Sequence, residues 1–246
     1  MARDTSLPEP ASAESHDDPG HRALAGGSAR AGVFGFSDGL VTNVSMIIGF
    51  AASGVGPGVV RLAGIASAVA GAASMSVGEW VSVRAQNDLV RRETALELRE
   101  LLHNTGAETT ELIGIYRAHG MSKEQATKAA NEVMQDPQRA LLVHAREEFG
   151  IDPTQLPNPI SVAMISLVTF LLGAFLPIVP WMIGGGNGAR IASIVIGLAA
   201  AAIAGGIIGR QAHRSVVRSA LRQVAVLIIA VTVTYAVGSV VGVNVS

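Results

Sequence analysis

Gln223–Gly242 reads QVAVLIIAVTVTYAVGSVVG, twenty residues without a charge. A helix rising 1.5 Å per residue covers about 30 Å over that length, the hydrocarbon thickness of a bilayer. Around this run, the 94 residues after Asp152 contain no acid, and their only Lys or Arg are Arg190, Arg210, Arg214, Arg218 and Arg222. A water-soluble domain is not covered by so little charge. Four further apolar stretches precede it: 33–54, interrupted by Asp38; 60–83, interrupted by Glu79; 159–183; and 189–209. Gly54-Val-Gly-Pro-Gly58 and Gly184-Gly-Gly-Asn-Gly188 supply turns after the first and third. The fold class expected is all-α, a polytopic membrane protein with five transmembrane helices and the lipid bilayer as its medium.

Composition agrees. Aromatic residues are 4% of the chain and glycines number 28, a small-residue mixture suited to helices packing closely in lipid. The net charge of −1 gives no reason to expect a nucleic-acid partner. The absence of cysteine excludes disulfides and thiolate sites. Residues 1–30 carry Asp4, Glu9, Glu14, Asp17 and Asp18 where a signal peptide needs an apolar core, so a disordered tail without a removable signal is expected.

Between the second and third stretches the pattern breaks. Residues 84–152 hold 9 basic and 12 acidic residues, the mark of a water-facing insert. Apolar spacing and Gly/Pro punctuation predict short helices near 85–104, 107–119, 122–135 and 137–149, with Ser122-Lys-Glu-Gln125 as a capping box. The domain plan is therefore a tail over 1–30, transmembrane helices one and two over 31–84, a water-facing helical domain over 85–153, and helices three to five over 154–246. Basic residues cluster in Arg210–Arg222, on the side of the insert, which predicts a cytoplasmic N-terminus and insert and an outside C-terminus.

Two acidic sets could carry chemistry. Asp38 and Glu79 are the acids inside hydrocarbon-length stretches, and charges there are functional hypotheses by default. Each lies about five residues from the insert side of its stretch, so the two are expected at matched depth, with Met75 one turn deeper than Glu79. The plainer alternative has Asp38 capping its helix and Glu79 reaching the interface. Two carboxylates with a thioether suit a divalent first-row cation such as Fe²⁺ or Mn²⁺, and their mutual repulsion leaves a proton to exchange for it. The second set lies in the insert: Glu97-Leu-Arg-Glu100, Glu108-Thr-Thr-Glu111 and Glu147-Glu148, with His144 one turn before Glu148. Spacing of i, i+3 puts both carboxylates of a pair on one helical face.

Phe36-Ser-Asp-Gly-Leu-Val-Thr-Asn43 and Ser74-Met-Ser-Val-Gly-Glu-Trp-Val-Ser-Val83, with Gln86, Asp88 and Arg146-Glu-Glu-Phe-Gly-Ile-Asp-Pro153, resemble the vacuolar iron transporter family, in particular its bacterial-type members. The resemblance runs over about residues 30–242. It implies a homodimer of five-span subunits in the cell membrane, a non-enzymatic secondary transporter exporting Fe²⁺, and also metals such as Mn²⁺, from the cytosol in exchange for protons. It implies Asp38, Met75 and Glu79 as translocation-site residues, residues 85–153 as a metal-binding domain, and Glu97, Glu100, Glu108, Glu111 and Glu148 as its metal-binding carboxylates. Where vacuolar members have a Met-Met pair, this chain has His144-Ala145, which leaves open whether the imidazole replaces sulfur. A membrane-bound ferroxidase or a metal sensor without transport is the alternative reading.

Overall fold

The computed structural model describes residues 27–243, so the expected tail lies outside the described residues except for its last four positions. Nine helices are present among the described residues and no strand. Helix α1 is Gly27–Ala52, and a turn through Gly54 (φ +82°) leads to Pro57, which opens α2, Pro57–His103. The insert continues with α3, Thr105–Ala118, α4, Lys123–Val133, and α5, Pro137–Phe149. Then follow α6, Pro159–Phe175, α7, Val179–Ile183, α8, Gly186–Gln211, and α9, Val216–Val243.

Two elements differ from the sequence reading. The helix expected near 85–104 is not separate: α2 runs unbroken for 47 residues, about 70 Å. No Gly or Pro falls between Gly78 and His103, and Arg84 and Arg91 pair with Asp88 across single turns where the helix turns polar. The stretch 159–183 is not one helix either. Four helices, α1, α2, α8 and α9, are long and apolar enough to cross a membrane, while α6 has 17 residues. Pro177 and Pro180 lack the donors a continuing helix needs, so the chain turns at 176–178 before α7. Ser193 of α8 fastens that turn: its Oγ donates to the Pro177 carbonyl at 2.7 Å and accepts from Trp181 Nε1 at 3.0 Å.

Helix α1 is the hub, packed against α6, α9, α2 and α8. Its Leu40, Val44, Ile47 and Ile48 meet Val60, Ala68 and Ala72 of α2, Phe170 and Ala174 of α6, Ala201 of α8 and Leu227 of α9 in one core. Asn43 is fully buried there and its Nδ2 donates to the carbonyls of Ala174 (2.7 Å) and Gly64 (3.2 Å), tying three helices. Helix α8 buries every fourth residue, Ala189, Ser193, Gly197, Ala201, Gly205 and Gly209, and the last two press against Val216, Ser219, Ala220 and Gln223 of α9. Backbones touch where side chains vanish: a Cβ on Gly39 would strike the Phe170 carbonyl, and one on Gly173 the Phe36 carbonyl.

Gly173→Ala should therefore force α1 and α6 apart, destabilising the protein by about 1–3 kcal/mol. Thermal unfolding in detergent checks this against Gly78→Ala, whose Cβ would enter open space and which should cost nothing.

Candidate metal centre

Four side chains from three helices converge inside the insert. Glu97 comes from the distal part of α2, Glu108 from the first turn of α3, and His144 and Glu148 from successive turns of α5. Local capping sets their positions. Asp136 accepts from the Gln138 backbone to start α5, Gly150 in the left-handed region (φ +63°) ends it, and the Ser122/Gln125 capping box starts α4 as expected. A small apolar cluster of Leu101, Ala140 and Leu141, with Leu98, Val133 and Met134, clamps α5 to α2.

His144 has no exposed surface. Its Nδ1 lies 3.1 Å from Glu148 Oε1, in hydrogen-bond geometry, 3.2 Å from Glu97 Oε1 and 3.7 Å from Glu108 Oε2. One donor atom of each residue falls within 4.8 Å of the others. Glu97 and Glu108 are only 9% and 8% exposed. Burial, then the Glu148 charge, pushes the Glu97 carboxyl up to about 7, against the pull of His144. Burial likewise raises Glu108, opposed by His144. Glu97 Oε1 and His144 Nε2 are buried without hydrogen-bond partners. A single ring nitrogen cannot serve three carboxylates, and the orphaned oxygen fits a site that takes a cation.

The other expected ligands stand apart. Glu100 is exposed and accepts from Asn104 Nδ2 at 2.6 Å. Glu111 is also exposed, close enough for its charge to raise Glu97 and Glu108 but outside the four-residue group. Glu147 faces away, 3.6 Å from His119 Nδ1. Each Glu-x-x-Glu thus supplies one buried and one exposed carboxylate, because i, i+3 leaves about 60° between side chains and the contact between helices is narrower. In the following motif, hydrogen bonds from Thr154 and then Arg146 hold Asp152 low, at about 2. Sequence reasoning passed over Asn87. It is buried, and its Nδ2 donates to the Pro157 carbonyl at 2.9 Å, fixing α2 to the approach to α6; its only signal was an amide among charges.

In the apolar bundle, Asp38 is half-buried and accepts from Thr42 Oγ1 at 3.5 Å. Met75 packs on the core, and Glu79 is half-buried with no hydrogen bond or ion pair among the described residues. Matched depth for the two acids is not what the helix register gives. Gly39 and Gly71 both abut Phe170, so Asp38 is level with the Ala72 turn. Met75 and Glu79 then lie successively nearer the insert, Glu79 by about 10 Å. Two clefts meet beside Val41. One, of about 460 Å³, includes Asp38; the other, of about 630 Å³ between α1 and α9, includes Thr42, Ser45, Met46, Ser53 and Thr234.

The model of the VIT family matches residues 29–239. The chain belongs to that family. It is 33% identical over 200 residues to the vacuolar iron transporter of Acanthamoeba castellanii, covering 77% of this chain and 73% of that protein. Vacuolar iron transporter 1 of Arabidopsis thaliana is 29% identical over 76% of each chain, and vacuolar iron transporter homolog 2 of Oryza sativa subsp. japonica is 31% identical over 85% of this chain and 87% of its own. In this VIT family chain the insert cluster joins three carboxylates to an imidazole.

Because Glu97 keeps its proton to about pH 7 when folded, against 4.5 ordinarily, the folded state holds a proton that the unfolded chain releases over that window. Stability of the metal-free protein should fall as pH rises from about 4.5 to about 7 through this group. Glu97→Gln should flatten that part of the profile and raise the unfolding temperature at pH 8, measured by thermal unfolding in chelator.

Proposed function

We propose that this chain exports divalent iron, and manganese with it, from the cytosol across the cell membrane in exchange for protons, as a homodimer of five-span subunits. The observation that carries the reading is the group of Glu97, Glu108, His144 and Glu148, of which Glu97 lies on the same helix as Met75 and Glu79. The relatives' names as iron transporters and the long apolar helices support it.

In this reading residues 31–84 and 154–246 form the membrane part, with α6 and α7 together making the third crossing. Residues 85–153 form the cytoplasmic metal-binding domain, and the C-terminus lies outside. The cluster collects metal, with His144 supplying nitrogen in place of sulfur, and Glu100 and Glu111 add negative potential at its edge. Oxygen donors with one imidazole accept Fe²⁺ and Mn²⁺ alike. Glu97 and Glu79 are 18 residues apart, five full turns, so they share a face of α2 about 27 Å apart. The ion then meets Glu79, Met75 and Asp38 in sequence, and leaves along the cleft of Thr42, Ser45 and Thr234. Carboxylates that are unpaired between ions take up protons, which couples the two flows.

A ferroxidase centre of the di-iron kind draws on Glu-x-x-His pairs. Glu100-Leu-Leu-His103 has that spacing, yet Glu100 is bound to Asn104 and His103 Nδ1 faces the Arg99 carbonyl at 2.8 Å, both away from the cluster.

Proteoliposomes with an imposed pH gradient and a metal-sensing dye should show metal flux that Asp38→Ala abolishes and that stops when the gradient is collapsed. Undiminished flux in Asp38→Ala contradicts the route. In calorimetric titrations of the full-length protein with Mn²⁺, His144→Ala should weaken binding by about tenfold or more, while Glu147→Gln should leave it unchanged.

A further inference from the structure

The cleft of about 460 Å³ that includes Asp38 also has basic lining residues that transport of a cation does not use. It lies between the start of α1, the end of α8 and the second turn of α9. Arg30 and Arg222 face it from α1 and α9, joined by Gln223, and Val33, Phe34, Ile208 and Val226 make its apolar wall. Both arginines are exposed, and neither has an ion-pair or hydrogen-bond partner among the described residues. Phe34 and Val226 are 58% and 47% exposed, apolar surface left without protein cover. Asp38 is the one carboxylate in the lining, eight residues and about 12 Å along α1 from Arg30, and it is already engaged by Thr42.

Two guanidiniums against one distant carboxylate repel a cation and attract an anion. A guanidinium pair presents forked donors that match a phosphate, and basic pockets between membrane helices hold anionic headgroups. The apolar wall is exposed at Phe34 and Val226, which suits an acyl chain and not a free anion. The geometry points to an anionic phospholipid bound here, its phosphate held by Arg30 and Arg222 with Gln223 and its chain lying over Phe34 and Val226. The site requires only that the bundle sits in a bilayer, and it stands independently of the export reading. Arg210, Arg214 and Arg218 are absent from the lining, so the cleft is distinct from the general positive charge of the α8–α9 turn.

The test uses the full-length protein in dodecylmaltoside micelles supplemented with dioleoylphosphatidylglycerol or dioleoylphosphatidylcholine. The glycerol lipid should raise the unfolding temperature by about 3–6 °C over the choline lipid. The double variant Arg30→Gln/Arg222→Gln should lose that difference, and Arg214→Gln/Arg218→Gln should keep it. Native mass spectrometry should show phosphatidylglycerol retained by the wild type and the second variant and lost from the first. Equal unfolding temperatures in the two lipids, an effect that survives Arg30→Gln/Arg222→Gln, or equal loss in both double variants overturns the site. The same rise with inorganic phosphate alone overturns the lipid and leaves a free anion as the ligand.

Discussion

A carboxylate taken out of water has to meet a cation, a proton or a hydrogen-bond donor, and the insert brings three of them to one imidazole. Glu97, Glu108 and Glu148 each come from a different helix, so the helices close on one another only if that charge is met. His144 meets part of it through Nδ1, and a proton on Glu97 meets another part up to about pH 7. What remains is Glu97 Oε1, buried without a hydrogen bond although 3.2 Å from the same Nδ1, in a site whose four donor atoms already stand within 4.8 Å of one another. The small apolar clamp of Leu101, Ala140 and Leu141 supplies the packing that offsets this electrostatic cost.

The same constraint explains why α2 is one helix. Positioning Glu97 opposite His144 needs a rod that does not flex where the chain passes from apolar to polar surroundings, and a helix interior without Gly or Pro provides it. The rod is anchored at its apolar end by Gly71 against Phe170 and by the Gly64 carbonyl on Asn43, and midway by Asn87 on Pro157.

The apolar helices were legible because lipid-length runs and Gly-rich turns are one-dimensional signals; α8 lies close to its expected bounds, while α9 begins seven residues before the charge-free run expected for it. The insert helices α3, α4 and α5 also fell near theirs, since caps such as Ser122/Gln125 are local chemistry. Three things were not legible. The division of 159–183 depends on Pro177 and Pro180 in a run whose hydropathy never drops. The fusion of 85–104 with the second span leaves no mark, because helix continuity is an absence of breakers. The choice among the acids depends on rotation: Glu97 over Glu100 and Glu148 over Glu147 follow from which face α2, α3 and α5 share, and depth for Asp38 and Glu79 follows from register at Phe170. His144, ambiguous in the sequence, is placed by the fold inside the acidic cluster, fully buried.

Charge is sorted by helix in this molecule. Among the described residues the acids lie on α1, α2 and the insert, while α8 and α9 carry arginine alone as their Lys or Arg, from Arg190 to Arg222. Asp38 sits where the two sets meet, with Thr42 on one side and the arginine-lined cleft on the other. Bare guanidiniums lining the same cleft oppose any cation that approaches Asp38. A phosphate between Arg30 and Arg222 cancels that opposition without placing a competing ligand on the carboxylate. The proposed lipid site and the proposed acidic route are then complementary: the anion settles where the arginines are, and no second ligand is placed on the carboxylate.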